Sequence, residues 1–299
     1  MEKKFDAYQM ATDKICELLE QGLKPWAKPW TSAINCAWSG SNGNVYSLLN
    51  QMLLMTGKYK TLDDAFADIQ GEWLTFKQAL DRGGNVKKGE KGRKVVFFKM
   101  LEKEKQNPDD PDEVFPYLQV YTVFHVRQCE GIQQKYHTDC DTVYPFAEDA
   151  TAESVAKEYI KREGIKYNPV KGNRAYYTPS LDTVVTPLPE QFADSNSYYM
   201  TLFHELTHST GHESRLNRLQ KCASFGSEVY STEELVAEIG SASIMATLGL
   251  ETGSTLNESA AYIKGWLKAL KNDKRMIVTA SSRAEKAVRM ILNIKEAVQ

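Results

Sequence analysis

One segment decides the fold of the C-terminal half, and it reads Tyr198-Tyr199-Met200-Thr201-Leu202-Phe203-His204-Glu205-Leu206-Thr207-His208-Ser209-Thr210-Gly211. We interpret it as a single helix that ends at Gly211. Residues four apart lie on the same helix face, so the imidazoles of His204 and His208 can reach one ion, with Glu205 beside it. Imidazole nitrogens bind zinc well, and a neighbouring carboxylate can take a proton from water. The spacing predicts a mononuclear metal site with His204 and His208 as ligands and Glu205 as the general base.

The third ligand is expected on the next helix. A catalytic zinc usually has three protein ligands and one open position. The following helix carries Glu234 and Glu238 one turn apart on a shared face. We assign Glu234 to the metal and Glu238 to a ligating histidine, which it would orient by a hydrogen bond. The expected ion is Zn2+, with another divalent ion such as Mn2+ as the alternative.

Two alternatives for these glutamates stay open. Glu238 could be the ligand in place of Glu234. The run Ser231-Thr232-Glu233-Glu234 also matches a capping box, in which the glutamate only satisfies the start of a helix. Neither alternative changes the assignment of the two histidines.

Other arrangements of the histidines are weaker. A chance His-x-x-x-His is the plain alternative, but three of the five histidines fall between His204 and His212. His212 follows Gly211 and is expected to be a nearby polar contact, and a metzincin site would need a histidine where Ser214 stands. A second set with a spacing unlike standard zinc sites comprises His125, Cys129, His137 and Cys140. Candidate oxyanion partners are Tyr176, Tyr177, Tyr230 and Arg218.

Length and composition bound the class of protein. At 299 residues, with 42% apolar and 25% charged residues, the chain is long for one core and ordinary for a globular protein. No apolar run approaches the ~20 residues of a membrane span, and the start lacks a secretory signal. Five scattered cysteines fit reduced thiols. We expect a cytoplasmic protein with no membrane partner and two domains, 1–135 and 150–299.

The N-terminal half is expected to combine helices and strands. Helical spacing and the glycines that follow predict helices at Phe5–Gln21, 46–56 and Glu72–Leu80. Apolar and alternating runs predict strands at Val95–Phe98 and Tyr117–Val126, and we expect these two to pair.

The C-terminal half is expected to be mostly helical. A helix at Ala152–Arg162 precedes a short hairpin made by Tyr176-Tyr177 and Val184-Val185. Capping residues predict later helices that start at Ser231 and Ser281, and Gly249 is a helix stop. The fold class is therefore α+β.

Positive charge is concentrated in one part of the N-terminal half. Cations outnumber acids between Lys77 and Lys99, and tryptophans lie in the same half. Single-stranded nucleic acid is bound by cations that meet phosphates and by aromatic rings on which bases stack. The candidate DNA-binding residues are Trp26, Trp30, Lys77, Lys87, Lys88, Lys91 and Arg93. The alternative is a solvated loop beside tryptophans that belong to the core.

The chain resembles the ArdC-type antirestriction proteins of conjugative elements. The segments that carry the resemblance are Lys24–Trp30, Trp73–Ala79, Gly84–Gly92, Thr201–Arg218 and Glu233–Gly240. The resemblance implies an N-terminal α/β domain with a small antiparallel sheet that binds single-stranded DNA. It also implies a mostly helical, zincin-like C-terminal metallopeptidase domain of the gluzincin type. The implied role is to shield incoming plasmid DNA from host restriction.

Competing functions remain. The chain could be a self-standing zinc metallopeptidase whose N-terminal half selects protein substrates, or the zinc could be structural. Besides single-stranded DNA, the partners to consider are a protein substrate and a restriction enzyme. Peptidase activity does not follow from a fold alone.

Overall fold

A computed structural model describes residues 6–23, 25–26, 37–102, 114–135, 151–192, 194–219, 228–250 and 260–294. The architecture is α+β, as the sequence predicts. Small sheets lie in both halves, and helices dominate the end of the chain. In the described parts of the chain, no helix has the length and apolar character needed to cross a membrane.

The first helix follows its sequence signals closely. Helix α1, Ala7–Glu20, is capped by the carboxylate of Asp6, which accepts hydrogen bonds from the Tyr8 and Gln9 amides. It ends at Gly22, whose φ of +78° lets the Leu23 amide reach back to the Leu18 carbonyl at 3.0 Å. The predicted helix is confirmed.

A four-stranded sheet follows in the N-terminal half. Its strands are β1 (Ala37–Ser39), β2 (Gly71–Thr75), β4 (Arg93–Glu102) and β5 (Val114–His125), in the order β1-β2-β5-β4. Strands β4 and β5 pair antiparallel over ten residue pairs, which confirms the predicted pairing. A smaller ribbon joins β3 (Asn85–Val86) to β6 (Cys129–Glu130). The helices of this half are α2 (Leu48–Leu54), α3 (Leu62–Ile69) and α4 (Phe76–Asp81).

The helix predicted at Glu72–Leu80 is only half correct. Residues up to Thr75 form β2, because Trp73 and Leu74 are fully buried, Trp73 pairs with both neighbouring strands and Leu74 pairs with β5. The helix begins after Thr75, whose hydroxyl accepts a hydrogen bond from the Gln78 amide. Tertiary pairing therefore overrode the local helical pattern.

The second half packs a three-stranded sheet against helices. The elements are α5 (Ala152–Glu163), β7 (Lys166–Val170), β8 (Tyr176–Thr178), β9 (Thr183–Pro187), α6 (Ser195–Ser209), α7 (Glu228–Thr247), α8 (Ala260–Asn272) and α9 (Met276–Ile291). The predicted hairpin is confirmed as β8 and β9, and β7 adds a parallel strand that the sequence analysis missed. The helix starts predicted at Ser231 and Ser281 are wrong, because both residues lie inside helices.

The described part of the chain has two apolar cores, and the first combines residues from both halves of the sequence. It combines α1, α2 and the four-stranded sheet with Trp266 and Leu270 of α8 and with Met276 and Ile277 of α9. The Thr12 hydroxyl donates to the Lys274 carbonyl at 2.8 Å across the same contact. The second core joins α5, α6 and β9 to the ends of α7 and α9. The expected domain boundary, 136–149, lies outside the described residues.

Because the first core is shared, a fragment of residues 1–135 should be less stable than the same residues in the full chain. In the full chain, we expect Trp266→Ala to destabilise the N-terminal half by about 3–5 kcal/mol, the usual effect of removing a buried Trp. Hydrogen exchange should show loss of protection in α1.

The matched control is Val155→Ala, which removes apolar volume from the second core. It should leave α1 protected. Equal protection of α1 in the parent and in Trp266→Ala would mean that the N-terminal core does not depend on α8.

Candidate metal centre

Helix α6 presents the candidate ligands from a rigid element. The Asp194 side chain caps its start by accepting a hydrogen bond from the Ser197 amide at 2.7 Å. Leu202, Phe203 and Leu206 bury the opposite side of the helix in the second core. The two histidines are therefore held on a helix whose other face is fixed by packing.

The chain reverses direction immediately after α6. The amides of Arg218 and Leu219 both donate to the Gly211 carbonyl at 3.0 Å. A Cβ at position 211 would lie 2.7 Å from Leu219 Cγ, so this close return requires glycine. His212 turns away and its Nδ1 contacts the Ser214 hydroxyl at 2.8 Å, in agreement with the expectation that it is a polar contact.

Three side chains converge on one point. The Nε2 atoms of His204 and His208 lie 3.2 Å apart. The Glu234 carboxylate places one oxygen 3.6 Å from His204 Nε2 and the other 3.5 Å from His208 Nε2. Among the described residues, these three form the group of histidine, cysteine and acidic side chains close enough to hold a metal ion.

The donor set fits a divalent cation. Taking zinc as the reference, bonds of about 2.0–2.1 Å meeting at a tetrahedral angle hold two ligand atoms about 3.3 Å apart. The two histidine nitrogens, 3.2 Å apart, lie close to that value, and each histidine has a different Glu234 oxygen at 3.5–3.6 Å. Two imidazoles and one carboxylate also form a standard catalytic set, which leaves one position open. The histidines and Glu234 therefore have the chemistry and the proximity to bind one ion.

Glu205 lies beside this group and points toward the sheet. Its side chain is buried, and burial raises the pKa of the Glu205 carboxyl above its usual range. His204, His208 and a hydrogen bond from the Tyr177 amide act in the opposite direction but do not cancel the effect. A buried carboxyl with a raised pKa accepts a proton more readily than an exposed one, which suits a general base.

The Tyr177 amide that meets Glu205 is held by an ion pair. Arg215, after the end of α6, pairs with Asp182 in the β8–β9 turn. The Tyr177 hydroxyl donates to the Asp182 carboxylate at 2.7 Å, and Arg215 Nε donates to the Ser209 carbonyl at 2.8 Å. This network fixes β8 against the end of α6. Tyr177 is therefore engaged with Asp182, while Tyr176 is about half exposed and stays a candidate oxyanion partner.

A buried carboxylate lies behind His208, and the sequence alone did not predict its role. Glu233 Oε1 lies 3.3 Å from His208 Nδ1, the ring nitrogen that faces away from the metal point. Arg218 Nε lies 2.9 Å from Glu233 Oε2, and both side chains are almost fully buried. Burial would raise the pKa of Glu233, but His208 and Arg218 outweigh burial and hold that pKa below its usual range. The ionised Glu233 carboxylate fixes the orientation of the His208 ring.

Arg218 therefore holds Glu233 and the end of α6 in place. Besides Glu233, it donates to the Thr210 hydroxyl at 2.6 Å and to the Thr207 carbonyl at 2.5 Å. Its proposed part as an oxyanion partner is not supported by this geometry. Tyr230 is part of α7, but its side chain lies outside the described residues.

Helix α7 carries the two glutamates, Glu234 and Glu238, that the sequence assigns to the metal site. Ser231 lies within α7, so the capping-box interpretation of Glu234 is wrong. Glu234 lies close to both histidines, and its role as the third ligand stays a prediction. Burial lowers the pKa of His204, but the carboxylates of Glu234, Glu205 and Glu238 outweigh it and raise that pKa above its usual value. The orienting role of Glu238 stays a prediction.

The second possible metal set is not assembled by the described residues. His125 uses both ring nitrogens locally, since Nε2 contacts the Gln70 carbonyl at 2.7 Å and Nδ1 accepts from the Arg127 amide at 3.0 Å. Cys129 is a buried free thiol. His137 and Cys140 lie outside the described residues.

The candidate DNA-binding residues that the structure describes separate into three groups. Trp26 is only 1% exposed and belongs to the first core, so its ring is not available for stacking on a base. Arg93 is bound to Asp68 at 2.7 Å and lies over the Trp73 ring, so it supports the fold. The exposed candidates are Lys77, Lys87, Lys88 and Lys91. Trp30 lies outside the described residues.

The ligand order on α7 can be tested by metal titration of the chelator-stripped protein. We expect Glu234→Ala to weaken Zn2+ binding by more than the about 10–100-fold typical of a supporting group, and Glu238→Ala to weaken it less. Isothermal calorimetry measures both. The reverse order would assign the ligand to Glu238.

Glu233→Gln should weaken metal binding by about 10–100-fold, because the neutral amide holds His208 less firmly. It also breaks a buried ion pair, so thermal stability should fall. Arg218→Gln is the matched control: it breaks the same pair but keeps the carboxylate on His208. If both variants lost metal affinity equally, the loss would reflect stability and not the orientation of His208.

Family models match both parts of the chain. The model of the N-terminal domain of the anti-restriction factor ArdC matches residues 5–124. A model of a zincin-like metallopeptidase matches residues 154–283, which include all three candidate ligands.

Curated relatives extend over almost the whole chain. Two proteins named DNA primase TraC from Escherichia coli are 33% and 30% identical over 96% and 97% of this chain. The chain spans only 20% and 27% of their own lengths. The uncharacterized protein y4eC of Sinorhizobium fredii (strain NBRC 101917 / NGR234) is 32% identical, with 94% of this chain and 89% of that protein covered.

Two solved structures of the antirestriction protein ArdC from plasmid R388 share this fold. The Mn(II)-bound structure has a TM-score of 0.71 and 36% identity over 99% of this chain and all of that chain. The metal-free structure has a TM-score of 0.69 over 96% and 97%. Together with the donor set, the zincin-like match and the Mn(II)-bound relative indicate a divalent metal. Since a relative of this identity is covered from end to end and the ArdC model matches the N-terminal half, the chain belongs to the ArdC family of antirestriction proteins.

Proposed function

We propose that this protein defends a conjugative element against restriction by binding single-stranded DNA in the cytoplasm. In this proposal, residues 1–135 bind the DNA, and residues 150–299 carry a zinc-dependent, peptidase-like site. The observation that carries the proposal is the end-to-end similarity to an antirestriction protein encoded by a plasmid. The relatives named as primases are also proteins that act on nucleic acid.

The charge distribution supports the DNA-binding part. Lys87, Lys88 and Lys91 are exposed on the loop between β3 and β4. The loop is braced at its base, since Gln128 Nε2 donates to the Glu90 carboxylate at 2.7 Å and the Lys87 amide donates to the Gln128 carbonyl at 2.9 Å. The braced loop presents the lysines to DNA phosphates, where they would displace the counterions condensed on the DNA, so affinity should fall steeply with salt.

The ligand geometry supports the metal part. His204, His208 and Glu234 would hold the ion, and zinc is the proposed native metal because its usual catalytic donor set is present. Manganese is the alternative, since the solved relative binds Mn(II). Such an ion, when bound, would act as a Lewis acid on a carbonyl or a water molecule. Glu205 would take a proton from water and return it to a leaving amine.

The competing function is a metallopeptidase in its own right, whose substrate is a protein such as a restriction enzyme. The position of Glu205 favours it, because a structural metal would not need a buried carboxyl beside the ligands. No feature of the described residues specifies which peptide would be cleaved. The two functions predict different results when only the general base, Glu205, is removed.

The substitution Glu205→Gln distinguishes the two functions, because it keeps the shape of the side chain and removes the general base. Metal content and folding should be retained, since Glu205 is not in the ligand group. We expect this variant to protect transferred DNA as well as the parent does, because the N-terminal half offers a complete way to cover the DNA. The measurement is plasmid transfer into restricting and non-restricting recipients.

Two controls accompany the transfer assay. His204→Ala combined with His208→Ala should abolish metal retention, and Lys87→Glu combined with Lys88→Glu and Lys91→Glu should abolish both DNA binding and protection. Loss of protection in Glu205→Gln with DNA binding intact would make the metal site catalytic. Protection that survives loss of DNA binding would refute the proposed function.

A further inference from the structure

Two aromatic rings lie exposed side by side on the sheet of the N-terminal half. Phe97 of β4 is 44% exposed and Tyr121 of β5 is 38% exposed. Their ring centroids are 5.4 Å apart and the ring planes meet at 84°. Among the ring pairs that the described residues form, this pair is the one in which both rings are more than a third exposed.

Strand pairing holds these rings in place. Tyr121 is opposite Val95, and Phe97 is two residues further along β4, so the rings are diagonal neighbours on one face. On its other side, Phe97 meets the buried ring of Tyr46 at 6.3 Å. Val95, which is opposite Tyr121 and precedes Phe97 on the same face of β4, is fully buried in the first core. The rings are therefore rigid at their base and open to solvent at their outer faces.

A rigid, exposed aromatic pair fits a flat partner. Burial would stabilise both rings, yet the described residues leave them exposed, which is typical of a contact surface. Aromatic rings that stand on a sheet are a known means of stacking nucleobases.

The surrounding charge favours a polyanion as that partner. Exposed Lys87, Lys88 and Lys91 lie on the loop that leads into β4. With a strand rise of about 3.3 Å per residue, Lys91 and Phe97 are about 20 Å apart along the chain. That distance is within the span of a few nucleotides of single-stranded DNA. One strand of DNA could therefore contact the lysines and the rings together.

We propose that Phe97 and Tyr121 form the base-stacking platform for single-stranded DNA, next to the lysine loop that binds its phosphates. The inference rests on the proposed DNA binding and replaces the expected stacking on Trp26, whose ring is buried. Stacking on rings does not distinguish base sequences, so the platform binds DNA of any sequence.

The test uses the full chain and a short oligothymidylate, with an abasic oligonucleotide of the same length as the second probe. The parent should bind the oligothymidylate more tightly, because only that probe has bases to stack. Phe97→Ala and Tyr121→Ala should each weaken oligothymidylate binding by about tenfold and leave abasic binding unchanged. The slope of log affinity against log salt should stay at the parent value, since no phosphate contact is lost. Phe97→Trp should restore the preference for bases.

Phe76→Ala is the matched control, because Phe76 is 53% exposed on α4, outside the sheet. It should behave as the parent with both probes. Light scattering on each variant tests whether the rings join two copies of the chain; a change in mass would overturn the platform. Circular dichroism confirms that each variant is folded.

The two proposals fail in different ways. Absence of any oligonucleotide binding by the parent refutes the proposed function. Parent binding that depends on salt and on the lysine loop, but is unchanged in Phe97→Ala and Tyr121→Ala, upholds DNA binding and refutes the platform. Equal weakening by Phe76→Ala also refutes it, because the stacking would then not be confined to β4 and β5.

Discussion

The metal site depends on how closely α6 and α7 approach each other. At Gly240 the two helices are so near that a Cβ would lie 2.6 Å from Thr207 Cγ2. Thr207 is fully buried and its hydroxyl donates to the Phe203 carbonyl at 2.7 Å, so it cannot move aside without losing a buried hydrogen bond. Only glycine permits this approach. This close contact brings the Glu234 side chain of α7 within reach of both histidines on α6.

The guanidinium of Arg218 then links the two helices where they approach each other. Arg218 binds the Thr207 carbonyl and the Thr210 hydroxyl of the first helix and the Glu233 carboxylate of the second. The chain delivers Arg218 to this position because Gly211 allows it to return along the end of α6. A buried ion pair of this kind adds little net stability over an apolar pair, but removing one partner is costly. The Arg218–Glu233 pair matters here for geometry, because the Glu233 carboxylate that binds Arg218 also orients His208.

The sequence predicted those parts of the site that depend on local spacing. His204, Glu205 and His208 belong to one helix, so their relative positions follow from helix geometry alone. Glu233 was missed because its partners, His208 and Arg218, come together only through the packing of two helices. Trp26 was misjudged for a similar reason: composition records that a tryptophan is present and not which core buries it. The Phe97 and Tyr121 pair could not be anticipated, because the register that makes them neighbours is set by the pairing of β4 with β5 and not by local sequence.

Helix α7 links the two halves of the molecule more closely than the order of the sequence suggests. Its first part packs Leu235, Val236 and Ile239 into the core of the N-terminal half, and its last part packs Ile244 and Met245 into the other core. The same helix carries Glu233 and Glu234. A truncation after residue 135 therefore removes part of the core beneath the proposed DNA surface, and a truncation of the N-terminal half uncovers the helix that supplies a metal ligand. For this fold, the contributions of DNA binding and of the metal site can be separated only by point substitutions that leave both cores intact.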